Sequence, residues 1–354
     1  MGDQTGIEWT DATWNPLTGC THAGPGCDNC YAARESAGRL SGLPEYAGLT
    51  VRRPGEQPRF TGEVRQHPTR IEQPMRWRKP RRVFVNSMSD LFHKSVPIEF
   101  IARVFAVMAV TPRHEYQVLT KRPQRMASLL SHPSFVDSVQ QIASAMISTG
   151  APGATEPFLT QHEWWPLPNV QVGTSIESNR YAFRADHLRA TPAHVRFVSA
   201  EPLLGPLDDL DLLMVDWLIV GGESGPAARP MHPEWVEELR DRCLAGRVSA
   251  GTWGDPSATI RVGQPAFFFK QWGEWGPVTT TDASGAYELQ RWPAAVVLDD
   301  GEAIPLDEWD GDHPLARNNR AQRRRPTMMY RAGKRNTGRL LDGRTWDENP
   351  GKVS

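Results

Sequence analysis

Cysteine is scarce in this chain, with four in 354 residues. That excludes a disulfide-stapled secreted scaffold, which a chain long enough to bury a large core does not need. No stretch approaches about 18 consecutive apolar residues, so no membrane-spanning helix and no membrane partner are expected. The first residues, MGDQTGIEWT, lack a basic region followed by an apolar run, so no signal peptide is expected either. These absences point to a reducing, cytoplasmic setting. Net charge is −1, so the chain as a whole is not a basic polyanion binder. No internal repeat or low-complexity tract is present. The apolar share is 39%, and Gly and Pro number 30 each, which suits a loop-rich globular protein.

Three of the four cysteines fall within eleven residues, Cys20, Cys27 and Cys30, in the segment TWNPLTGCTHAGPGCDNCYA. Thiolates bind soft or borderline metals, and three of them suit zinc or an iron–sulfur cluster. A structural zinc site wants four ligands, and His22 is the nearest fourth candidate. A 4Fe-4S cluster held by three cysteines leaves one iron open to a further ligand. Buried thiols without metal are the third reading; the loop residues Gly19, Gly24, Pro25 and Gly26 do not look like core. The remaining cysteine, Cys243, sits at helical spacing from Leu239 and reads as core.

Short runs rich in β-branched or aromatic residues predict buried strands at 82–86, 116–120, 170–174, 195–199, 217–220 and 266–269. Helical spacing predicts helices at 97–110, 179–189 and 233–244. Alternating strand and helix predicts an α/β fold with a parallel sheet, either a partial or complete (β/α) barrel or a doubly wound open sheet. Residues 1–275 form the barrel-like domain, with the cysteine loop at 19–31. Two long insertions, 41–81 rich in Pro, Gly and Arg and 131–168 with Pro, Ser, Thr and Trp164-Trp165, read as lids or substrate loops. Residues 276–354 read as a C-terminal extension packed on the barrel.

Each strand runs into polar residues, which in parallel α/β folds gather on one rim. The candidates for binding a cofactor or cosubstrate are Ser87, Asp90, Lys121, Thr174, Glu177, Ser199, Glu201, Gly221, Gly222, Glu223 and Lys270. Glu177, Glu201 and Glu223 either bind ribose hydroxyls or an amino group, or face helix dipoles. Lys270 pairs with one of those carboxylates or with a phosphate. Gly221 and Gly222 let a ligand approach the backbone, or simply make a turn. Trp9, Trp272 and Trp275 lie near these motifs and are candidates for stacking on a base.

The cysteine segment, together with RRVFVNSMSDLFH, FVSAEPLLGPL, DWLIVGGESG, FFFKQWGEW and GRLLDGRTWDENP, resembles a phage-associated three-cysteine-motif family. That family is related to radical S-adenosylmethionine enzymes. The resemblance implies a radical-enzyme type of barrel with a 4Fe-4S cluster on Cys20, Cys27 and Cys30. It also implies S-adenosylmethionine as cosubstrate, cleaved to a 5′-deoxyadenosyl radical, and an electron donor such as flavodoxin or ferredoxin. The spacing departs from the usual radical-enzyme pattern. Six residues, not three, separate the first two cysteines, and Tyr31 follows the last cysteine instead of preceding it.

Charge is uneven along the C-terminal part. Asp282, Glu288, Asp299, Asp300, Glu302, Asp307, Glu308, Asp310 and Asp312 are opposed only by Arg291 between 282 and 312. Ten basic residues follow between 313 and 344, including Arg323, Arg324 and Arg325. Either the two segments neutralise each other, or the basic one meets DNA or RNA phosphates. Arg76, Arg78, Lys79, Arg81 and Arg82 form a second basic stretch. The function these features suggest is modification or repair of a nucleic acid or nucleotide. The alternative is a zinc-stabilised nucleic-acid-binding protein without catalysis.

Overall fold

A computed structural model describes residues 5–156, 159, 164–245, 247–250, 259–262, 264–278, 293–309 and 324–350. The fold is mixed α/β. Seven strands, β1 (Ala12–Trp14), β2 (Arg82–Val85), β3 (Glu115–Thr120), β4 (Val170–Ser175), β5 (Val195–Ala200), β6 (Trp217–Gly221) and β7 (Ala266–Gln271), follow one another across the sheet in chain order. A doubly wound sheet reverses its order at a switch point, and this one does not. The order has two separate ends, so among the described residues the sheet is an open, partial-barrel arrangement and not a closed one. No described helix is long and apolar enough to cross a membrane.

The chain divides into two compact units. The first comprises Met1–Ser175, Phe183–Ser199 and Pro350–Ser354. Its strands pair in parallel, with Ala12 opposite Val83, Val83 opposite Tyr116, Tyr116 opposite Val170 and Gln171 opposite Val195. Val83, Val85, Tyr116, Val118, Val170 and Val172 are all buried, which is why these strands read as continuous apolar runs. Helix α1 (Tyr31–Ala37) follows the cysteine loop. Helix α2 (Ile98–Ala109) buries nine of its twelve residues, among them Ile101, Val104, Phe105 and Met108, so it is covered on most sides.

The 131–168 insertion is not the open loop its composition suggested. After α3 (Pro123–Leu130), its first half forms α4 (Pro133–Ser148), which buries Phe135, Val139 and Ala143 at four-residue intervals. The Phe135 ring meets Phe105 edge-on at 5.8 Å. Past the Pro- and Gly-containing segment, Trp165 Nε1 donates to Leu130 O at 3.2 Å. The 41–81 insertion is pinned by two short antiparallel pairs, Thr50–Val51 with Arg59–Phe60 and Leu17–Thr18 with Arg65–Gln66. Of the segment 179–189, only α5 (Arg184–Arg189) is α-helical; Asn179–Tyr181 is a 3-10 turn.

The second unit comprises Ile176–Ala182 and Ala200–Asn349. Strands β6 and β7 pair in parallel from Trp217 opposite Ala266, with a register shift at Gly221. Helix α6 (Pro233–Ala245) buries Trp235, Val236, Leu239 and Cys243, so Cys243 is core as its spacing implied. The C-terminal extension, for which the sequence predicted no strands, contributes to an antiparallel sheet. Its strands are β8 (Trp275–Pro277), β9 (Ala294–Val297), β10 (Ala303–Pro305) and β11 (Thr327–Arg331), in the order β8-β11-β9-β10.

Arg324 overturns one expectation. Its side chain is 2% exposed and pairs with Asp208 at 2.5 Å, Asp299 at 2.7 Å and also Glu238. It is an internal ion centre, with no surface left for a phosphate. Intramolecular neutralisation therefore holds for Arg324 and Asp299, while Arg325 is exposed. Asp282, Glu288, Arg291, Asp310, Asp312 and Arg323 lie outside the described residues.

Candidate cysteine and strand-end site

The cysteine loop leaves the C-terminal end of β1. Asn15 fastens that end to the end of β2, since its Oδ1 accepts from Met88 N at 3.1 Å and its side chain also bonds Ser87 Oγ. Thr18 Oγ1 donates to Glu45 O at 2.7 Å, tying the loop to the 41–81 insertion. Gly19 has φ +87°, and a Cβ there would stand 2.1 Å from Glu63 O. Only glycine makes this turn, one residue before Cys20. A 3-10 turn at Pro25–Cys27 then carries Cys27, and Cys30 is the residue before α1, accepting from Arg34 N at 3.1 Å. All four cysteines are free thiols.

Arg122 and Asp90 hold the first cysteine. Arg122 donates through one terminal nitrogen to Cys20 Sγ at 3.8 Å and to Asp90 Oδ2 at 2.7 Å. Through the other it donates to Thr21 O at 3.0 Å and Thr21 Oγ1 at 2.7 Å. Asp90 is 5% exposed. It also accepts from Thr120 Oγ1 at 2.7 Å, Phe92 N at 2.9 Å and Lys121 N at 3.1 Å. His93 Nδ1 accepts from Ser95 N, so Nε2 is the protonated nitrogen and donates to Thr21 Oγ1 at 2.8 Å. On the far side of the loop, buried Arg184 donates to Ala23 O at 2.9 Å and Ser175 O at 2.8 Å.

Burial pushes the Cys20 thiol up to about 12; the Asp90 charge and the other two thiols add to this, and Arg122 opposes it. Burial also raises Cys30, with Cys27 adding to it and Lys121 opposing. The three thiols therefore lie within one another's field. Desolvated thiols become thiolates when a cation joins them, and a metal supplies that charge.

A single metal ion needs its ligands to converge on one point, about 2.3 Å from each sulfur for zinc. Among the described residues, no three His, Cys, Asp or Glu side chains converge in that way. His22, the proposed fourth zinc ligand, engages Asp28 Oδ1 through Nε2 at 2.8 Å. An iron–sulfur cluster seats each thiolate on a different iron, so its sulfurs surround a volume and need not meet at a point. Three free, neighbouring thiols on one glycine-bent loop, with Cys20 and Cys30 desolvated, suit that donor set, and Cys20, Cys27 and Cys30 are the residues that would hold it.

The other sequence candidates divide by unit. In the first, Ser87 uses its hydroxyl on Asn15, and Tyr31 Oη donates to its carbonyl. Thr174 is fully buried and donates to Thr120 O at 2.9 Å, bolting β4 to β3. Ser199 is buried as well. Lys121 and Asp90 stand beside the cysteines. In the second unit, Lys270 Nζ pairs with Glu201 Oε1 at 2.8 Å, one of the two pairings its sequence context allowed. Gly221 leaves space for that pair, since a Cβ there would lie 2.9 Å from Glu201 Oε1. At Gly222 the close approach is made by the chain's own backbone, with Trp272 O 1.9 Å from a Cβ position. Glu223 is 5% exposed, and Arg229 engages both its oxygens at 2.7 and 2.9 Å. Glu177 is fully buried.

Trp9 and Trp272 are buried, and Trp272 Nε1 donates to Leu340 O at 2.8 Å, so neither ring is open to a base. Trp275 spends its indole N–H on Ala228 O. The basic stretch ending at Arg82 enters β2 from its N-terminal end, where Arg82 pairs with Asp11. The cysteine loop leaves from the C-terminal end of the neighbouring strand. The strand separates the two by roughly 13 Å. Arg122, Arg184, Asn15 and Gly19 carry the site's geometry without having stood out as candidates. For Arg122 the available signal was its place between a strand end and Pro123, the first residue of α3.

No curated protein and no solved structure matches the chain. One family does, over residues 4–350. The chain belongs to the family described as Protein of unknown function (DUF5131).

Proposed function

We propose that this chain is an iron–sulfur protein similar to radical S-adenosylmethionine enzymes, acting on a nucleic acid or nucleotide. The observation that carries the reading is the gathering of three free thiols on one loop at the C-terminal edge of a parallel sheet, with half-buried Arg122, paired to buried Asp90, against the first of them. When bound, the cluster supplies electrons one at a time, the chemistry that cleaves S-adenosylmethionine reductively. The chain's residues do the rest. Cys20, Cys27 and Cys30 hold the group, Arg122 and Lys121 balance its negative charge, and Arg184 fixes the loop. Flavodoxin or ferredoxin would serve as electron donor. The nucleic-acid part rests on exposed Arg76, Arg78, Lys79 and Arg325.

Anaerobic purification tests the reading directly. The protein should be brown, with about four irons and four sulfides per chain. Reduced protein given S-adenosylmethionine should release 5′-deoxyadenosine or methionine, read by chromatography. An intact reduced cluster without cleavage would replace the enzyme with an electron carrier. A colourless protein holding one zinc would favour the zinc-stabilised nucleic-acid binder, whose fourth-ligand candidate His22 engages Asp28.

A further inference from the structure

We propose that Arg122 and Asp90 form a charge lever that sets the reduction potential of the cysteine-held cluster through Cys20. The inference rests on the iron–sulfur reading. It goes further by assigning the tuning of the centre to two residues that are not ligands.

The geometry is specific. Arg122 donates to Cys20 Sγ at 3.8 Å through the same nitrogen that binds Asp90 at 2.7 Å. Its second nitrogen grips Thr21, the residue after Cys20, through both carbonyl and hydroxyl. The guanidinium therefore cannot swing away from Cys20 without breaking three other bonds. Asp90 is fixed in turn by Thr120, Phe92 N and Lys121 N. An arginine stays charged at every accessible pH, so the lever does not titrate.

Reduction adds one electron, and so one negative charge, to the centre. A fixed cation donating to a ligating sulfur stabilises that extra charge, and a fixed anion nearby opposes it. The two residues therefore push in opposite directions. Removing the cation also strands the Asp90 carboxylate in a desolvated place beside the sulfur, which deepens the effect. Arg122→Gln should lower the potential. Asp90→Asn, which keeps an oxygen for Thr120, should raise it. Arg122→Lys keeps the charge but loses the fork and should fall between wild type and Arg122→Gln.

The experiment is a redox titration of the reconstituted full chain, with dithionite as reductant and ferricyanide as oxidant. The reduced cluster is followed by electron paramagnetic resonance, and iron is counted in each variant. One electron passes from dithionite to the cluster, and no bond forms or breaks. At a fixed solution potential, the reduced-to-oxidised ratio should fall at least tenfold in Arg122→Gln, about 59 mV for one electron. It should rise in Asp90→Asn. Iron-loaded variants that titrate like wild type, or that both shift in one direction, would overturn the lever and leave the cluster assignment standing. If Arg122→Gln sheds its iron, the sign in Asp90→Asn decides, and a fall or no change overturns the proposal. A wild-type chain that binds no iron would overturn both readings together.

Discussion

At the residue scale, the three clustered cysteines and the fourth one make opposite demands. A three-thiolate site has no spare ligand, whereas Cys243 is packed in α6 with Leu239. Replacement of Cys20, Cys27 or Cys30 by Ala should abolish iron loading, while Cys243→Ala should load normally, as measured by iron analysis after anaerobic reconstitution. Normal iron in Cys27→Ala would end the cluster assignment. Gly19 is the backbone counterpart. With φ +87° and Glu63 O in the Cβ position, Gly19→Ala should destabilise the first unit by roughly 1–3 kcal/mol, read as a lower Tm. It should also lower iron content, because the turn aims Cys20. Sequence showed the thiols because cysteine is rare and clustered here. It placed Arg122 only at a strand end, before Pro123, because nothing in the sequence pairs one arginine among many with Asp90 and Cys20 until the fold brings them together. Glu223 was open to two readings for a related reason. A carboxylate after Gly-Gly looks the same whether it waits for a ligand or is closed by Arg229 six residues on.

At the scale of elements, legibility followed length and burial. The six longer sheet strands were readable because they are largely buried, so each carries a cluster of β-branched or aromatic residues. Strand β1 was not, since three residues of ATW give no period to read. Helix α4 was hidden by the Pro, Ser and Thr of its segment, although Phe135, Val139 and Ala143 repeat at the helical interval. Its anchoring is testable. Phe135 is 2% exposed and meets Phe105 edge-on, so Phe135→Ala should cost about 3–5 kcal/mol in chemical unfolding. A loss under about 1 kcal/mol would mean that α4 is only loosely attached. In the second unit Arg324 plays the matching part with charge. Arg324→Ala would leave Asp208, Asp299 and Glu238 facing one another around an uncompensated site, at a cost of about 3–5 kcal/mol. The variant should melt earlier, with the deficit shrinking at acid pH as those carboxylates protonate.

At the scale of the whole molecule, a net charge of −1 conceals groups that respond to pH in one direction. His114, in the first unit, is 1% exposed and donates Nε2–H to Pro74 O at 3.0 Å, while Nδ1 is buried without a protein partner. Burial pushes it down to about 4, the Pro74 bond opposing and Arg113 and Arg81 adding. His232, in the second unit, is fully buried; burial lowers it too, against its bond to Arg325 O. An unfolded histidine takes up a proton near pH 6.5. Folded His114 does not do so until about pH 4. Between those values the unfolded chain binds more protons, so stability rises with pH. The His114 contribution is complete above about pH 6.5 and is lost as pH falls toward 4, up to about 3 kcal/mol in all. Thermal melting of the iron-free chain from pH 8 to pH 4.5 should show Tm level down to about 6.5 and then falling. His114→Gln, whose amide can still donate to Pro74 O, should flatten the part of that fall that belongs to the first unit. A wild-type Tm that holds steady from pH 6.5 to 5 would mean that His114 takes up its proton inside the fold, with its Nδ1 reaching a partner that burial alone does not provide.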